Sequence, residues 1–112
     1  MPEKNTSRAQ TVVVLVTVPD RRCAGKLARA LVREHLAACV NILPGVRSVY
    51  RWKGKIESSS ELLLAAKTQR TRLAKLTRRV KALHPYSVPE VAALPILGGN
   101  ADYLAWIREC VR

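Results

Sequence analysis

The sequence has no phenylalanine, only two tryptophans and three tyrosines, and no long apolar run. No aliphatic stretch is longer than Val12–Val16, whereas a membrane-spanning helix needs about 20 such residues, so we expect no membrane span. Residues 1–10 lack the apolar core of a secretory signal. We therefore expect a cytoplasmic protein with no membrane partner.

Cysteines are also few. The three cysteines, Cys23, Cys39 and Cys110, are odd in number and form no C-x-x-C pair, which argues against a disulfide framework and against a zinc knuckle. Reduced thiols fit the same cytoplasmic compartment.

Acidic residues are outnumbered by basic ones, eight to 20, which gives a formal net charge of +12. Such a charge suits contact with nucleic acid or another polyanion. Its densest part lies on one predicted helix and comprises Arg70, Arg72, Lys75, Arg78, Arg79 and Lys81. We interpret this stretch as a solvated outer face. A base-stacking RNA site is not expected, because the predicted central strands TVVVLVTV and ELLLAAKT contain no aromatic residue.

Four segments predict β-strands. Thr11–Pro19 and the second half of Ile56–Thr68 are uniformly apolar, which predicts two central strands, the first buried on both faces. Cys39–Trp52 and Val88–Leu97 carry prolines, which edge strands tolerate. The sheet is therefore expected to have two proline-bearing edges.

Three segments predict helices. Asp20 can cap the first, which runs to about Leu36; Thr71 can cap the second, which Pro85 stops; and Asn100 can cap the last. The order β-α-β-β-α-β plus a terminal helix predicts an α+β protein with the ferredoxin-like split βαβ fold and one antiparallel sheet. We expect residues 1–10 to be a flexible tail and residues 11–112 to form one domain.

The two middle strands predict an unusually long hairpin. Lys53-Gly54 supplies its turn, and Pro44-Gly45 predicts a bulge in its first arm. Each arm is about twice the ~5–6 residues of a typical strand, so the excess should project beyond the sheet. Trp52 beside the turn then needs a partner's surface to cover it, and we predict a closed oligomer.

Few side chains suggest chemistry. Cys39 is either a small buried hydrophobe or a soft ligand for Cu(I), for which His84 and a carboxylate such as Glu61 or Glu90 have to converge. His84, which precedes a proline, is alternatively a cation that complements a helix dipole. Lys67, like the two glutamates, lies in or beside an apolar strand, so we expect these three charges to be paired or to face a cleft. No nucleophile with a matching base and no glycine-rich phosphate loop is visible, so we predict that the protein is not an enzyme.

Five ordered segments of the sequence resemble the CutA divalent-cation tolerance proteins. They read VTVPD, LAACVNILPGVRSVYRWKGKIE, SELLLAAKT, HPYSVPEV and LPILGGNADYLAWI. The resemblance covers nearly the whole predicted domain, from about Val12 to Arg108. It implies a ferredoxin-like fold and a homotrimer held by the long hairpin, with an architecture similar to that of the PII signalling proteins.

The resemblance also implies sites. It points to Cys39 and His84 as ligands for copper or another divalent cation, with no cofactor required for folding. It further implies a polar cluster at a cleft between subunits, made of Trp52, Glu61, Lys67, Tyr86, Glu90 and Tyr103. Ser87 stands where relatives often carry glutamate or glutamine, which removes one possible ligand.

These observations support two hypotheses of different classes. The first is a non-enzymatic trimer that binds a metal ion or a small anionic ligand at subunit clefts, in copper and divalent-cation tolerance or in PII-like signalling. The alternative is a structural or interaction module whose basic surface docks acidic partners or nucleic acid.

Overall fold

Alternating valines on the first strand organise the core of the molecule. The computed structural model describes residues 10–112, so the tail predicted for residues 1–10 falls almost wholly outside the described residues. Val12, Val14, Val16 and Val18 all point to one side of the sheet and are buried there. Leu15, on the opposite side, is only partly buried, so the prediction of burial on both faces was wrong for this part of the strand.

The element order is that of the predicted fold. Four strands and three helices follow one another as β1 (Thr11–Val18), α1 (Arg21–Arg33), β2 (Cys39–Trp52), β3 (Lys55–Gln69), α2 (Leu73–Leu83), β4 (Ala92–Pro95) and α3 (Ala101–Cys110). The strands form one sheet in the order β2-β3-β1-β4, and every pairing is antiparallel. The ferredoxin-like α+β class is confirmed, with β1 and β3 central and the proline-bearing strands at the edges. Within residues 10–112, no helix is long and apolar enough to cross a membrane.

The helices cover one side of this sheet. Leu27 and Leu31 of α1 and Leu76 and Val80 of α2 are fully buried in the same cluster as the β1 valines. Their spacing of four residues within each helix places each pair on one helix face. Burial of this apolar surface is the main stabilising term of the fold.

Helix α1 is three residues shorter than predicted. Its N-cap is as expected, because the Asp20 carboxylate accepts a 2.8 Å hydrogen bond from the Cys23 N–H. Its C-terminus is closed by His35, which adopts a positive φ of 59° and lets the Leu36 N–H donate to the Leu31 carbonyl at 2.9 Å. This is a Schellman motif, and it stops the helix at Arg33.

The long hairpin is confirmed. Strands β2 and β3 pair as far as Trp52 and Lys55, but β1 pairs with β3 only up to the Val18–Leu62 pair. The part of the hairpin from Val46 to Glu61 therefore projects from the sheet. The molecule measures 48 Å in its longest direction and 27 and 24 Å in the other two. The predicted bulge lies where expected, as a register shift between Leu43 and Val46.

Two boundaries differ from the sequence predictions. Thr71 does not cap α2; it lies inside a 3₁₀ turn, Arg70–Arg72, and no side chain caps the helix that follows. Strand β4 covers only Ala92–Pro95 instead of Val88–Leu97, because it extends only as far as its pairing with β1. The cap at Asn100 is confirmed by a 2.9 Å hydrogen bond to its side chain from the Asp102 N–H.

Candidate functional site

A cavity of about 800 Å³ lies between the projecting hairpin and the segment that follows α2. Four of the six residues predicted for a ligand cleft line it, namely Trp52, Glu61, Tyr86 and Glu90. Trp52 comes from the tip of β2 and Glu61 from β3, whereas Tyr86 and Glu90 lie in the chain between α2 and β4. We call this space the hairpin cavity.

Glu61 is the buried ionisable group of the hairpin cavity. Its side chain is only 7% exposed, and its Oε2 accepts a 2.7 Å hydrogen bond from the Tyr86 hydroxyl. Burial raises the pKa of the Tyr86 hydroxyl well above its usual value, and the hydrogen bond to Glu61 and the charge of that carboxylate raise it further. Tyr86 therefore remains a proton donor to Glu61 at all physiological pH values.

His84 packs against Tyr86, beside the hairpin cavity. Its Nε2 donates to the Thr17 carbonyl oxygen at 2.7 Å, and its Nδ1 accepts from the Tyr86 N–H at 3.1 Å. The ring is 7% exposed and lies against the Tyr86 ring, with 4.6 Å between the centroids. A carbonyl can only accept and an N–H can only donate, so the imidazole is neutral. The alternative that His84 is a helix-terminal cation is therefore wrong.

Cys39 lies in a second cluster, together with the other two predicted cleft residues. The Nζ of Lys67 is 4.0 Å from the Cys39 Sγ, and it also donates to the Asn41 side-chain oxygen. Burial raises the pKa of the Tyr103 hydroxyl, and the electrostatic interaction with the nearby Cys39 raises it further. Lys67 and Tyr103 thus meet at Cys39 and do not line the hairpin cavity.

One protomer keeps Cys39 and His84 apart. Cys39 pairs with Lys67 on β3, whereas His84 bonds to Thr17, whose partner on β3 is Leu63. Four residues of strand separate these positions, which is about 13 Å. Over residues 10–112, no group of three or more His, Cys, Asp or Glu side chains is placed to hold a metal ion. The assignment of Cys39 and His84 as metal ligands stays a prediction.

The sequence reasoning missed further residues of the hairpin cavity. Tyr50, Arg51 and Glu57 also line it, and the Tyr50 hydroxyl lies 2.6 Å from the Ser59 Oγ. Strand alternation could have indicated Tyr50, because it lies two residues before Trp52 and therefore on the same face of β2.

Comparison with known proteins agrees with this architecture. Residues 12–110 match the family model described as CutA1 divalent ion tolerance protein. The chain is 58% identical over 97 residues to the divalent-cation tolerance protein CutA of Thermus thermophilus, covering 87% of this chain and 94% of that one. It is 51% identical over 110 residues to the chloroplastic CutA protein of Arabidopsis thaliana, covering 98% of this chain but only 60% of that longer one.

Solved structures give the same result. The divalent cation tolerance protein from Thermus thermophilus superposes with a TM-score of 0.89 at 55% identity, covering 91% of this chain and 99% of that one. CutA1 from Oryza sativa superposes with a TM-score of 0.90 at 49% identity, covering 95% and 97% of the two chains. The chain therefore belongs to the CutA family of divalent-cation tolerance proteins.

Proposed function

We propose that the protein acts in divalent-cation tolerance as a homotrimer that binds a metal ion or a small ligand at clefts between subunits, without catalysing a reaction. Two findings support the role: the chain matches the CutA family model over residues 12–110, and its Thermus thermophilus relative is named for divalent-cation tolerance. The three free cysteines are consistent with a cytoplasmic location.

The observation that carries the binding proposal is the buried Glu61 carboxylate in the hairpin cavity. A carboxylate that is 7% exposed costs free energy unless it is paired, and Tyr86 satisfies only one of its oxygens. Glu57 and Glu90 line the same cavity, so its lining carries three carboxylates against one cation, Arg51. Carboxylate oxygens are the ligands that hard divalent cations prefer, so the cavity suits a cation better than an anion.

Copper requires a different ligand set. A thiolate and an imidazole select Cu(I) or another soft metal, and Cys39 and His84 are the candidates for this role. Because one protomer separates them, a metal bound by both has to lie between protomers. His84 also has to release either the Thr17 carbonyl or the Tyr86 N–H before a ring nitrogen can bind a metal.

The hairpin supports the homotrimer. Val49 and Ile56 on its projecting part are 69% and 70% exposed in the single protomer. Apolar side chains on a projecting two-stranded arm need a covering surface, which further copies of the chain would supply. The PII-like architecture that the sequence resemblance implies extends the proposal to sensing of a small anionic ligand, at subunit clefts other than the acidic hairpin cavity.

A Cu(I) titration of the full chain under reducing conditions tests the metal assignment. We expect Cys39→Ser to weaken binding, and the matched control Cys23→Ser, which also removes a half-buried thiol, to leave it unchanged. His84→Asn and the control His35→Asn form the equivalent pair for the imidazole. Equal Cu(I) affinity in the wild type, Cys39→Ser and His84→Asn would remove copper from these two positions.

Ligand sensing has its own test. A small anion bound at the clefts should raise the midpoint of thermal unfolding in a concentration-dependent manner without any metal. Stabilisation by divalent metal alone would instead restrict the role to metal binding.

A further inference from the structure

We propose that a groove beside α2 binds an oligophosphate, meaning a small anion that carries two or more linked phosphate groups. The groove has a volume of about 420 Å³ and lies between α2 and the turn after α1. It is lined by Arg72, Lys75, Arg78, Arg79, Ala82, Glu34 and Leu36, and we call it the α2 groove. It shares no lining residue with the hairpin cavity, so this site is separate from the proposed function above.

Helical spacing brings the basic residues of the groove together. Lys75, Arg78, Arg79 and Ala82 recur at intervals of three and four residues, which places them on one face of α2. Arg72 joins them from the 3₁₀ turn that leads into the helix. Four cations therefore converge on one small concave surface.

Two of the three guanidinium groups of the groove are held in place by the protein. The Arg72 Nε donates to the Val111 carbonyl oxygen at 2.6 Å. Arg79 donates from Nε and Nη2 to the Glu34 carboxylate, with distances of 2.9 to 3.1 Å. Both terminal nitrogens of Arg72 and the Nη1 of Arg79 remain as donors. Because the groups are already oriented, less side-chain entropy is lost when they bind a ligand.

The charge of the groove is not balanced. Glu34 is its one acidic lining residue, and the ion pair with Arg79 already neutralises it. Among the described residues, Lys75 and Arg78 form no hydrogen bond or ion pair, and both are exposed. The groove therefore has an excess of positive charge, which favours an anionic ligand.

The lining decides which anion fits best. Guanidinium groups match phosphate oxygens in a planar, two-pronged geometry, and lysine adds a point charge. The lining contains no aromatic side chain on which a base could stack, so only the phosphate part of a ligand can be recognised. The volume is in the range of small-ligand pockets, of about 300–1,000 Å³, and so favours a short phosphate chain over a polymer.

Isothermal titration calorimetry of the full chain with inorganic triphosphate, at roughly 0.15 M salt, tests this proposal. The variant Lys75→Gln/Arg78→Gln removes two exposed charges from the groove. Its control, Arg22→Gln/Lys26→Gln, removes two exposed charges from α1 that line neither the α2 groove nor the hairpin cavity. We expect the groove variant to lose about tenfold or more in affinity and the control less than about twofold.

Three results would overturn the proposal. The first is that the wild type does not bind triphosphate. The second is that both double variants lose the same affinity for triphosphate, which would show that binding depends only on the net charge of the protein. The third is a single-stranded oligonucleotide that binds through Lys75 and Arg78 while triphosphate does not, because the surface then belongs to nucleic acid. If the groove variant fails to fold, the backbone amide chemical shifts of the wild type test the proposal instead. Triphosphate should then change mainly the shifts of residues 72–82, and changes mainly elsewhere would contradict the proposal.

Discussion

The Tyr86 hydroxyl donates a 2.7 Å hydrogen bond to the buried Glu61 carboxylate, and this bond joins the long hairpin to the segment after α2. Both residues line the hairpin cavity. His84 supports the arrangement from below, because its Nδ1 accepts the Tyr86 N–H while its Nε2 is bonded to β1 through Thr17. The position of Tyr86 is thus fixed from both ends, by its backbone and by its hydroxyl.

Removal of the Tyr86 hydroxyl should destabilise the protein. Tyr86→Phe leaves a buried carboxylate without its donor, so we expect the free energy of unfolding to fall by about 1–3 kcal/mol. Tyr50→Phe is the matched control, since it removes an exposed hydroxyl bonded to Ser59, and it should cost less than about 0.5 kcal/mol. Denaturant unfolding at fixed protein concentration measures both, and equal losses would contradict the structural role of the bond to Glu61.

The same hydroxyl should make stability depend on alkaline pH. The pKa of Tyr86 is raised in the folded protein by burial and by Glu61, whereas tyrosine in the unfolded chain ionises near its ordinary value of about 10. Above that pH the unfolded chain has lost the proton and the folded chain retains it, so the free energy of unfolding falls as pH rises.

Comparison of the wild type with Tyr86→Phe isolates this effect. The fall in stability between about pH 9 and pH 11 should be shallower in the variant. Some slope should remain, because burial also raises the pKa values of Tyr103 and Cys23. An identical pH slope in the two proteins would show that Tyr86 does not titrate differently on folding.

Features set by local backbone chemistry could be predicted from the sequence. The caps at Asp20 and Asn100, the bulge at Gly45 and the turn at Gly54 all lie where predicted, because each depends on residues within a few positions of it. The end of α1 could not be predicted in this way, since it depends on a positive φ at His35. Histidine adopts this conformation more often than most residues, but only a minority of histidines do so, and it does not mark the position as glycine would.

The grouping of site residues depends on strand register. The six predicted cleft residues divide between the hairpin cavity and the Cys39 cluster because of where two of them lie on β3. Lys67 pairs with Cys39, whereas Glu61, six residues earlier on the strand, pairs with Val46. The Glu61–Tyr86 bond joins residues 25 positions apart, and no sequence pattern specifies that contact. Residue types indicated which side chains were unusual, and only the fold showed which of them meet.

Substitution of Gly54, the glycine of the hairpin turn, should destabilise the protein. Its φ of +79° lies in a region that strains any residue with a Cβ, so Gly54→Ala should lower the free energy of unfolding by about 1–2 kcal/mol. Gly98→Ala is the control, because Gly98 has an ordinary φ and no atom within 4 Å of the added Cβ. The control should be neutral or slightly stabilising. Thermal unfolding of both variants checks this, and a loss at Gly98 equal to that at Gly54 would refute the strain argument.

Assembly should depend on the apolar face of the projecting hairpin. Val49 and Arg51 share one face of β2, and Ile56 lies opposite Arg51, so Val49 and Ile56 are neighbours on that face. Each is about two-thirds exposed in the single protomer, at 69% and 70%. Val49→Asp/Ile56→Asp places two carboxylates where we propose that another subunit packs, and burial of unpaired charges there is costly.

Size-exclusion chromatography with light scattering measures the result. The wild type should elute as a trimer, and the Val49→Asp/Ile56→Asp variant as a smaller species. Val32→Asp/Ala74→Asp is the matched control, since it introduces the same two charges at exposed apolar positions on α1 and α2, away from the hairpin. It should remain trimeric. A monomeric wild type would refute the homotrimer itself. A trimeric hairpin variant would show that subunits associate through another surface, because two carboxylates buried in the interface should prevent association.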